Sequence, residues 1–145
     1  RAFGAKVIYY SASGAPAQEG YEQVDFETLL TQSDIISVHA PLNEHTEGLI
    51  NSKAFKKMKS SCIFLNLGRG PIVDEQALYD ALVRDQIAAA GLDVLCEEPM
   101  SADNPLVQFK DSKRLLITPH IAWASVEART HLMEIIHGQV KDFFA

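Results

Sequence analysis

The stretch Cys62–Val94, CIFLNLGRGPIVDEQALYDALVRDQIAAAGLDV, contains the alternation of elements that decides the fold. Its first apolar run, Cys62–Leu65, predicts a buried strand that ends at a glycine-punctuated turn. Asp74 can cap a helix that continues to about Arg84. The run of small residues in Ala88–Val94 then predicts a second strand. The stretch therefore has the strand–helix–strand order that is typical of a parallel unit.

The same alternation continues on both sides of this stretch. Further strands are predicted at Lys6–Tyr10, Asp34–Val38 and Arg114–Thr118, and helices at Asp25–Thr31, Asn51–Met58 and Ser125–Phe144. Near-continuous apolar strands between helices indicate an α/β fold, a doubly wound parallel sheet covered on both faces. Ligands of such sheets bind outside the carboxyl ends of the strands. The segments expected to converge on that edge are Ser11, His39–Pro41, Asn66–Gly70, Asp93–Pro99 and Pro119–Trp123.

Composition excludes several classes of protein. The 145 residues carry 13 Lys and Arg against 19 Asp and Glu, and the net charge of −6 argues against a nucleic-acid surface. Two cysteines, Cys62 and Cys96, make no disulfide framework, which favours a reducing, cytoplasmic compartment. No apolar run has the length of a membrane span, so no membrane partner is predicted. No metal site is predicted either.

Arg69 lies between two glycines at the end of a predicted strand. It could be a plain turn residue. Gly68 and Gly70 would also let the backbone approach a ligand closely, and a planar guanidinium there could bind a carboxylate through two parallel hydrogen bonds. The local sequence leaves both interpretations open.

Three further strand-end residues have alternative interpretations of the same kind. Glu98 precedes a proline in a loop, where an exposed glutamate is ordinary. His120 follows a strand, where a histidine is often structural, although histidine is also the side chain that exchanges protons most readily near neutral pH. If Glu98 and His120 meet, the carboxylate would fix the imidazole tautomer and leave the other ring nitrogen free to transfer a proton. Asp93 could cap a helix or accept a hydrogen bond from a ligand amide.

The order and spacing of several separate motifs resemble those of the D-isomer-specific 2-hydroxyacid dehydrogenases. The matching blocks are Asn66–Glu75 (NLGRGPIVDE), Gly91–Val94 (GLDV) with Glu97–Pro99 (EEP), Thr118–Ala122 (TPHIA), and Val38–Leu42 (VHAPL) with Thr46. The residues after Ala122 are most similar to the glycerate dehydrogenase (hydroxypyruvate reductase) branch of that family.

The resemblance implies a Rossmann-like NAD-binding domain of an oxidoreductase that transfers a hydride between a nicotinamide cofactor and a small D-2-hydroxy acid or 2-keto acid. By this likeness Arg69 would bind the substrate carboxylate, His120 would be the acid/base, and Glu98 would hold His120. Asp93 would accept from the nicotinamide carboxamide. The positions implied to contact the cofactor are Ser11, His39, Ala40, Pro41, Thr46, Leu67, Gly68, Arg69, Asp93, His120, Ala122 and Trp123.

One family motif, the phosphate-binding G-x-G-x-x-G turn, does not occur in this sequence. We therefore expect an N-terminally incomplete chain. Residues 1–118 would be a partial dinucleotide-binding domain, and residues 119–145 would be an active-site loop and a helix crossing toward a substrate domain. On this expectation the chain alone neither binds the dinucleotide tightly nor turns over, whereas the intact protein, expected to be a homodimer, does both.

Cofactor choice depends on the position after the first strand. The family often has an acidic residue there to bind the adenosine ribose, and here the position is Ser11. Without a carboxylate at this position, nothing there repels a 2′-phosphate, but no arginine follows to attract one. NAD is therefore favoured, and NADP is not excluded. The alternatives to an enzyme are an NAD(H)-sensing, corepressor-like binding protein, a non-functional fragment, and a nucleotide-binding domain of other chemistry.

Overall fold

A computed structural model describes residues 2–144 as an α/β fold. The strands are β1 (Ile8–Tyr9), β2 (Glu22–Gln23), β3 (Ile35–Val38), β4 (Ile63–Asn66), β5 (Ala89–Leu92) and β6 (Leu115–Ile117). The helices are α1 (Phe26–Gln32), α2 (Ser52–Lys57), α3 (Glu75–Val83) and α4 (Val126–Phe143), with short 3-10 turns at Gly70–Ile72 and Pro105–Gln108.

Strands β3 to β6 form one parallel sheet in which each strand pairs with the next along the chain. In the central register, Phe64 pairs with Ile36 on one side and with Ala90 on the other. Strands β1 and β2 pair in parallel as a separate two-stranded sheet. Four of the five predicted strand ends therefore belong to one sheet, whereas Ser11 follows a strand of the other sheet.

Helices α1, α2 and α3 begin where the sequence predicts, because each has a side chain that caps its free backbone amides. Asp25 accepts from Thr28 N at 2.7 Å, Asn51 from Lys53 N at 3.0 Å, and Asp74 from Ala77 N at 3.0 Å. Their apolar sides and one face of the sheet form the core. Its fully buried members include Leu30, Phe55, Phe64, Leu78 and Leu82.

The opposite face of the sheet is less covered than the sequence predicts. Ile35 and Ile63 are register partners on this face, and both are exposed. Leu116, whose partner is Gly91, is 65% exposed on the same face. The strands consequently alternate between buried and exposed residues, since α1 to α3 pack against only one side.

Helix α4 confirms the prediction of a helix after Ser125, whose hydroxyl accepts from Ala128 N at 3.1 Å. No described residue of α4 is buried. Its apolar residues, among them Leu132, Ile136 and Val140, are exposed. No helix within residues 2–144 combines the length and the apolar character needed to cross a bilayer.

Candidate active site

The turn that carries Arg69 is shaped by Asn66, a buried residue at the end of β4. Its Oδ1 accepts from Gly68 N at 3.1 Å, and its Nδ2 donates to the carbonyl of Arg69 at 3.0 Å. A Cβ at Gly68 would lie 2.9 Å from Ala40 O, so the turn needs a glycine there. The guanidinium of Arg69 donates to Gly68 O at 2.8 Å, and the residue is exposed. Arg69 is thus presented at the surface by a rigid turn.

Gly70 joins this turn to the loop that carries Glu98. A Cβ built on Gly70 would overlap the carbonyl group of Leu95 and the amide nitrogen of Cys96. The two backbones therefore touch at a point where only glycine fits. Arg69 and Glu98 are held by segments in direct contact, although the structure records no hydrogen bond between the two side chains.

Glu98 and His120 meet, as the sequence predicts they would if both are functional. Glu98 Oε2 lies 2.9 Å from His120 Nδ1, and Glu98 Oε1 accepts from Leu95 N at 2.9 Å. The hydrogen bonds from Leu95 and then from His120 lower the pKa of Glu98 below its ordinary value. An ionised carboxylate can only accept, so Nδ1 of His120 is the donor in this pair. Nε2 is the ring nitrogen left for proton exchange.

The backbone of His120 has a left-handed conformation, with a φ of 55°. Histidine adopts this region more readily than most residues, but it is still uncommon. The amide of His120 donates to Thr118 O at 3.0 Å, and its carbonyl accepts from the indole of Trp123 at 2.8 Å. These two bonds maintain the unusual conformation, which is typical of a functional position.

Asp93 holds the turn that follows β6. Its Oδ1 accepts from Thr118 Oγ1 at 2.6 Å and from Ile121 N at 2.9 Å, and its Oδ2 accepts from Ala122 N at 2.9 Å. Burial raises the pKa of Asp93, but these hydrogen bonds and the nearby His120 outweigh it, so the pKa is lowered overall. A carboxylate has about four acceptor positions. With three occupied, Asp93 retains one for a further donor.

A groove of about 480 Å³ lies beside the Arg69 turn. Its lining includes six of the predicted cofactor positions, namely His39, Ala40, Pro41, Leu67, Gly68 and Arg69, together with Leu42. The groove combines apolar surface with one cation, the guanidinium of Arg69. Binding of a nicotinamide ring in this groove stays a prediction, and so does acceptance from its carboxamide by Asp93, which is buried.

Several predicted cofactor residues make other contacts in the structure, as the Trp123 indole does with His120 O. Thr46 is 1% exposed, and its hydroxyl donates to Pro41 O at 2.7 Å and accepts from Asn43 N at 2.9 Å. The amide of Ala122 is taken by Asp93. Ser11 contacts Ser13, with 3.1 Å between their hydroxyl oxygens. Contact with a cofactor stays a prediction for all twelve predicted positions, Thr46, Ala122 and Ser11 among them.

Comparison with known proteins agrees with this geometry. The sequence model described as "D-isomer specific 2-hydroxyacid dehydrogenase, NAD binding domain" matches residues 1–122. The chain belongs to the D-isomer-specific 2-hydroxyacid dehydrogenases. The family resemblance noted in the sequence is confirmed, and so is the Rossmann-like, NAD-binding character of the fold.

The relatives are longer than this chain. A hydroxypyruvate reductase from Blautia hydrogenotrophica is 45% identical over 145 residues, which are 99% of the chain and 44% of the relative. The structure resembles that of an acyclic imino acid reductase in complex with NADPH and D-Arg (TM-score 0.86, 36% identity, 99% of the chain and 44% of the other). It also resembles D-lactate dehydrogenase with NAD+ from Lactobacillus jensenii (TM-score 0.81, 37% identity, 92% and 44%). The chain spans less than half the length of each of these three proteins.

Proposed function

We propose that this chain is the cofactor-binding and proton-transferring part of an enzyme that reduces a small 2-keto acid to the D-2-hydroxy acid. Hydroxypyruvate and glycerate are the favoured pair, because the hydroxypyruvate reductase is 45% identical along nearly the whole chain. The observation that carries the proposal is the contact of 2.9 Å between Glu98 Oε2 and His120 Nδ1. An imidazole held in one tautomer by an ionised carboxylate is the arrangement that acid–base catalysis needs.

The residues divide the reaction between them. Reduction of a keto acid adds a hydride to carbon and a proton to oxygen, and the nicotinamide supplies the hydride when it is bound. His120 gives the proton from Nε2, while Glu98 stabilises the positive charge that the imidazole carries beforehand. Arg69 binds the substrate carboxylate and stabilises the charge that develops on the keto oxygen. Residues of the groove and Asp93 would hold the nicotinamide ring.

The direction of pH dependence follows from this division. Reduction consumes a proton that His120 must carry, and oxidation needs a neutral His120 to accept one. We expect the rate of reduction to fall as pH rises and the rate of oxidation to rise. Steady-state rates for both directions across the same pH range measure this. A shared pH optimum would contradict His120 as the proton carrier.

The activity of the longer protein tests the function directly. We expect NADH oxidation that depends on hydroxypyruvate, with a lower kcat/KM for glyoxylate and pyruvate. His120→Gln and Glu98→Gln should each lose most of kcat, about 10²-fold or more for His120. Full activity of His120→Gln would sink the proposal. Binding of a partner protein that depends on NADH, without turnover of any keto acid, would favour the sensing alternative instead.

The 145-residue chain by itself is proposed to be inactive. The G-x-G-x-x-G turn that would hold the pyrophosphate is not in its sequence, so we expect weak dinucleotide binding and no turnover. Calorimetric titration with NADH, beside the same titration of the longer protein, separates the two cases. Tight binding by the chain alone would show that the described groove is a sufficient site.

NAD is proposed as the preferred cofactor. The position of Ser11 has no carboxylate to bind ribose hydroxyls and no arginine neighbour to bind a phosphate. Relatives of known structure include complexes with NAD+ and with NADPH. The value of kcat/KM for NADH divided by that for NADPH measures this preference. A ratio below one would show that NADP is preferred. The intact enzyme is further proposed to be a homodimer. A cytoplasmic location is proposed as well, because the thiols of Cys62 and Cys96 are free, as in a reducing compartment.

A further inference from the structure

Glu75, the first residue of α3, contacts both ends of the loop that carries Glu98. Its Oε1 accepts from Cys96 N at 2.7 Å, and its Oε2 accepts from Asn104 Nδ2 at 2.7 Å. Asn104 is buried, and its own Oδ1 accepts from Leu106 N at 2.9 Å. One carboxylate thus closes the segment 96–104 into a loop of fixed span.

This arrangement exceeds the ordinary role of an acidic residue at a helix start. Asp74 already caps α3 through Ala77 N, so Glu75 is not needed for that purpose. A charge in the first turn stabilises the helix dipole from any orientation. Here both oxygens are directed to the loop at distances typical of charge-assisted hydrogen bonds.

The loop connects Glu75 to the Glu98–His120 pair through adjacent backbone amides. Cys96 N is held by Glu75, and the preceding amide, Leu95 N, donates to Glu98 Oε1 at 2.9 Å. Glu98 Oε2 then meets His120 Nδ1. The contact of Gly70 with Leu95 and Cys96 fixes the same end of the loop from the other side.

We propose that Glu75 is a positioning residue for proton transfer: by tying Cys96 to Asn104, it sets the placement of Glu98 against His120. The effect of Glu75 on proton transfer rests on the proposed function. The geometric part concerns this chain alone and can be tested without turnover.

Two variants of Glu75 separate its hydrogen bonds to the loop from its charge, and two further variants serve as control and reference. Glu75→Ala removes both, whereas Glu75→Asp keeps the negative charge at the helix start but is one methylene too short to reach Cys96 and Asn104 together. Gln76→Ala is the matched control, since Gln76 is exposed on the same turn and its side chain donates to Asp80 Oδ1 at 3.0 Å. Glu98→Gln supplies the reference for a lost Glu98–His120 pair.

The first measurement is the ¹⁵N resonance of His120 Nδ1 in the histidine-labelled 145-residue chain. We expect Glu75→Ala and Glu75→Asp to shift this resonance toward its position in Glu98→Gln, and Gln76→Ala to leave it in place. Helicity by circular dichroism should be retained in Glu75→Asp. A resonance unmoved in folded Glu75→Asp would overturn the proposal, even if Glu75→Ala fails to fold.

The second measurement is the steady-state kinetics of the longer protein. Small misplacements of a catalytic group can cost about 10²-fold in rate, so kcat for keto-acid reduction should fall about 10- to 100-fold in Glu75→Asp. KM for the keto acid should change little, since Arg69 is untouched. A rise in KM at constant kcat would contradict a role in proton transfer. If the parent protein reduces no keto acid, the proposed function fails, and the resonance of His120 still decides the role of Glu75.

Discussion

The acid–base half of the candidate site (Asp93, Glu98 and His120) differs from its binding half (Arg69 and the groove beside it). In the acid–base half, each carboxylate has at least two hydrogen-bond donors from the chain. In the binding half, the Arg69 guanidinium is exposed and donates to the carbonyl of its neighbour Gly68. The hydrogen bonds of the acid–base half are therefore made within the chain, while the Arg69 guanidinium of the binding half is exposed to a ligand.

The largest expected effect comes from the junction of the two halves. Gly70→Ala would place a Cβ inside the backbone of Leu95 and Cys96, so one segment must move. We expect a loss of stability of about 3 kcal/mol or more, as for severe overpacking, measured by urea denaturation. Gly138→Ala is the control: its Cβ meets nothing within 4 Å, and α4 should gain up to about 1 kcal/mol. Equal stabilities of the two variants would refute the contact.

The next effect concerns the acid–base half alone. Asp93→Asn would turn an amide donor toward the amides of Ile121 and Ala122, or leave one of them without a partner. We expect a cost of about 1–3 kcal/mol in the free energy of unfolding. Asp103→Asn, at an exposed loop position, should cost nothing measurable. A variant as stable as the parent would mean that the turn does not depend on this carboxylate.

The same substitution changes the response to acid. The pKa values of Asp93 and Glu98 are lowered in the folded chain, so their stabilisation is fully present above their ordinary values of 3.8 and 4.5. It is lost as pH falls through the folded pKa values. Stability curves between pH 6 and 3 should be flatter for Asp93→Asn than for the parent. Parallel curves would argue against an ionised, hydrogen-bonded Asp93.

The binding half should respond in activity rather than in stability. Arg69→Lys keeps the charge but loses the planar fork that matches a carboxylate. We expect kcat/KM for the keto acid in the longer protein to fall about tenfold, with unfolding unchanged because Arg69 is exposed. Unchanged kinetics would remove Arg69 from the site.

The smallest effect is chemical. Although Cys96 is exposed as a residue, partial desolvation of its thiol and the neighbouring Glu75 carboxylate raise the pKa of the thiol to about 11. Alkylation by iodoacetamide at pH 8 should therefore be several-fold slower than in the urea-unfolded chain, because only the thiolate reacts. Cys62→Ala provides a background without the second thiol. Equal rates in the folded and unfolded chains would indicate that the loop does not hold Cys96 beside Glu75.

Local signals were the part of the fold that the sequence predicted well. Asp25, Asn51, Asp74 and Ser125 all cap the helices expected to follow them, since a cap depends only on residues nearby in the chain. Strand β2 (Glu22–Gln23) was missed because two polar residues carry no periodic pattern. Strands β1 and β2 pair with each other, separately from the larger sheet. This pairing depends on tertiary contacts, which composition does not predict.

The sequence predicted the acid–base residues of the site better than the residues that position them. Glu98 and His120 could be paired because strand ends of a parallel sheet share an edge. The positioning roles of Asn66 and Glu75 were not predicted, although an asparagine two residues before Gly68 is a recognisable turn former. Glu75 offered no such signal, because an acidic residue at a helix start has an ordinary explanation. Its partners, Cys96 and Asn104, are distant in sequence and meet it only through the fold.

The position of β6 at the margin of the sheet has a consequence for how the molecule opens. Its three residues pair with β5 on one side only, and no described strand covers the other side. Marginal strands exchange their amide hydrogens through small local openings, while interior strands such as β4 exchange only when the whole unit opens. The imidazole is therefore attached to a marginal strand, whose amide hydrogens we expect to exchange before those of β4.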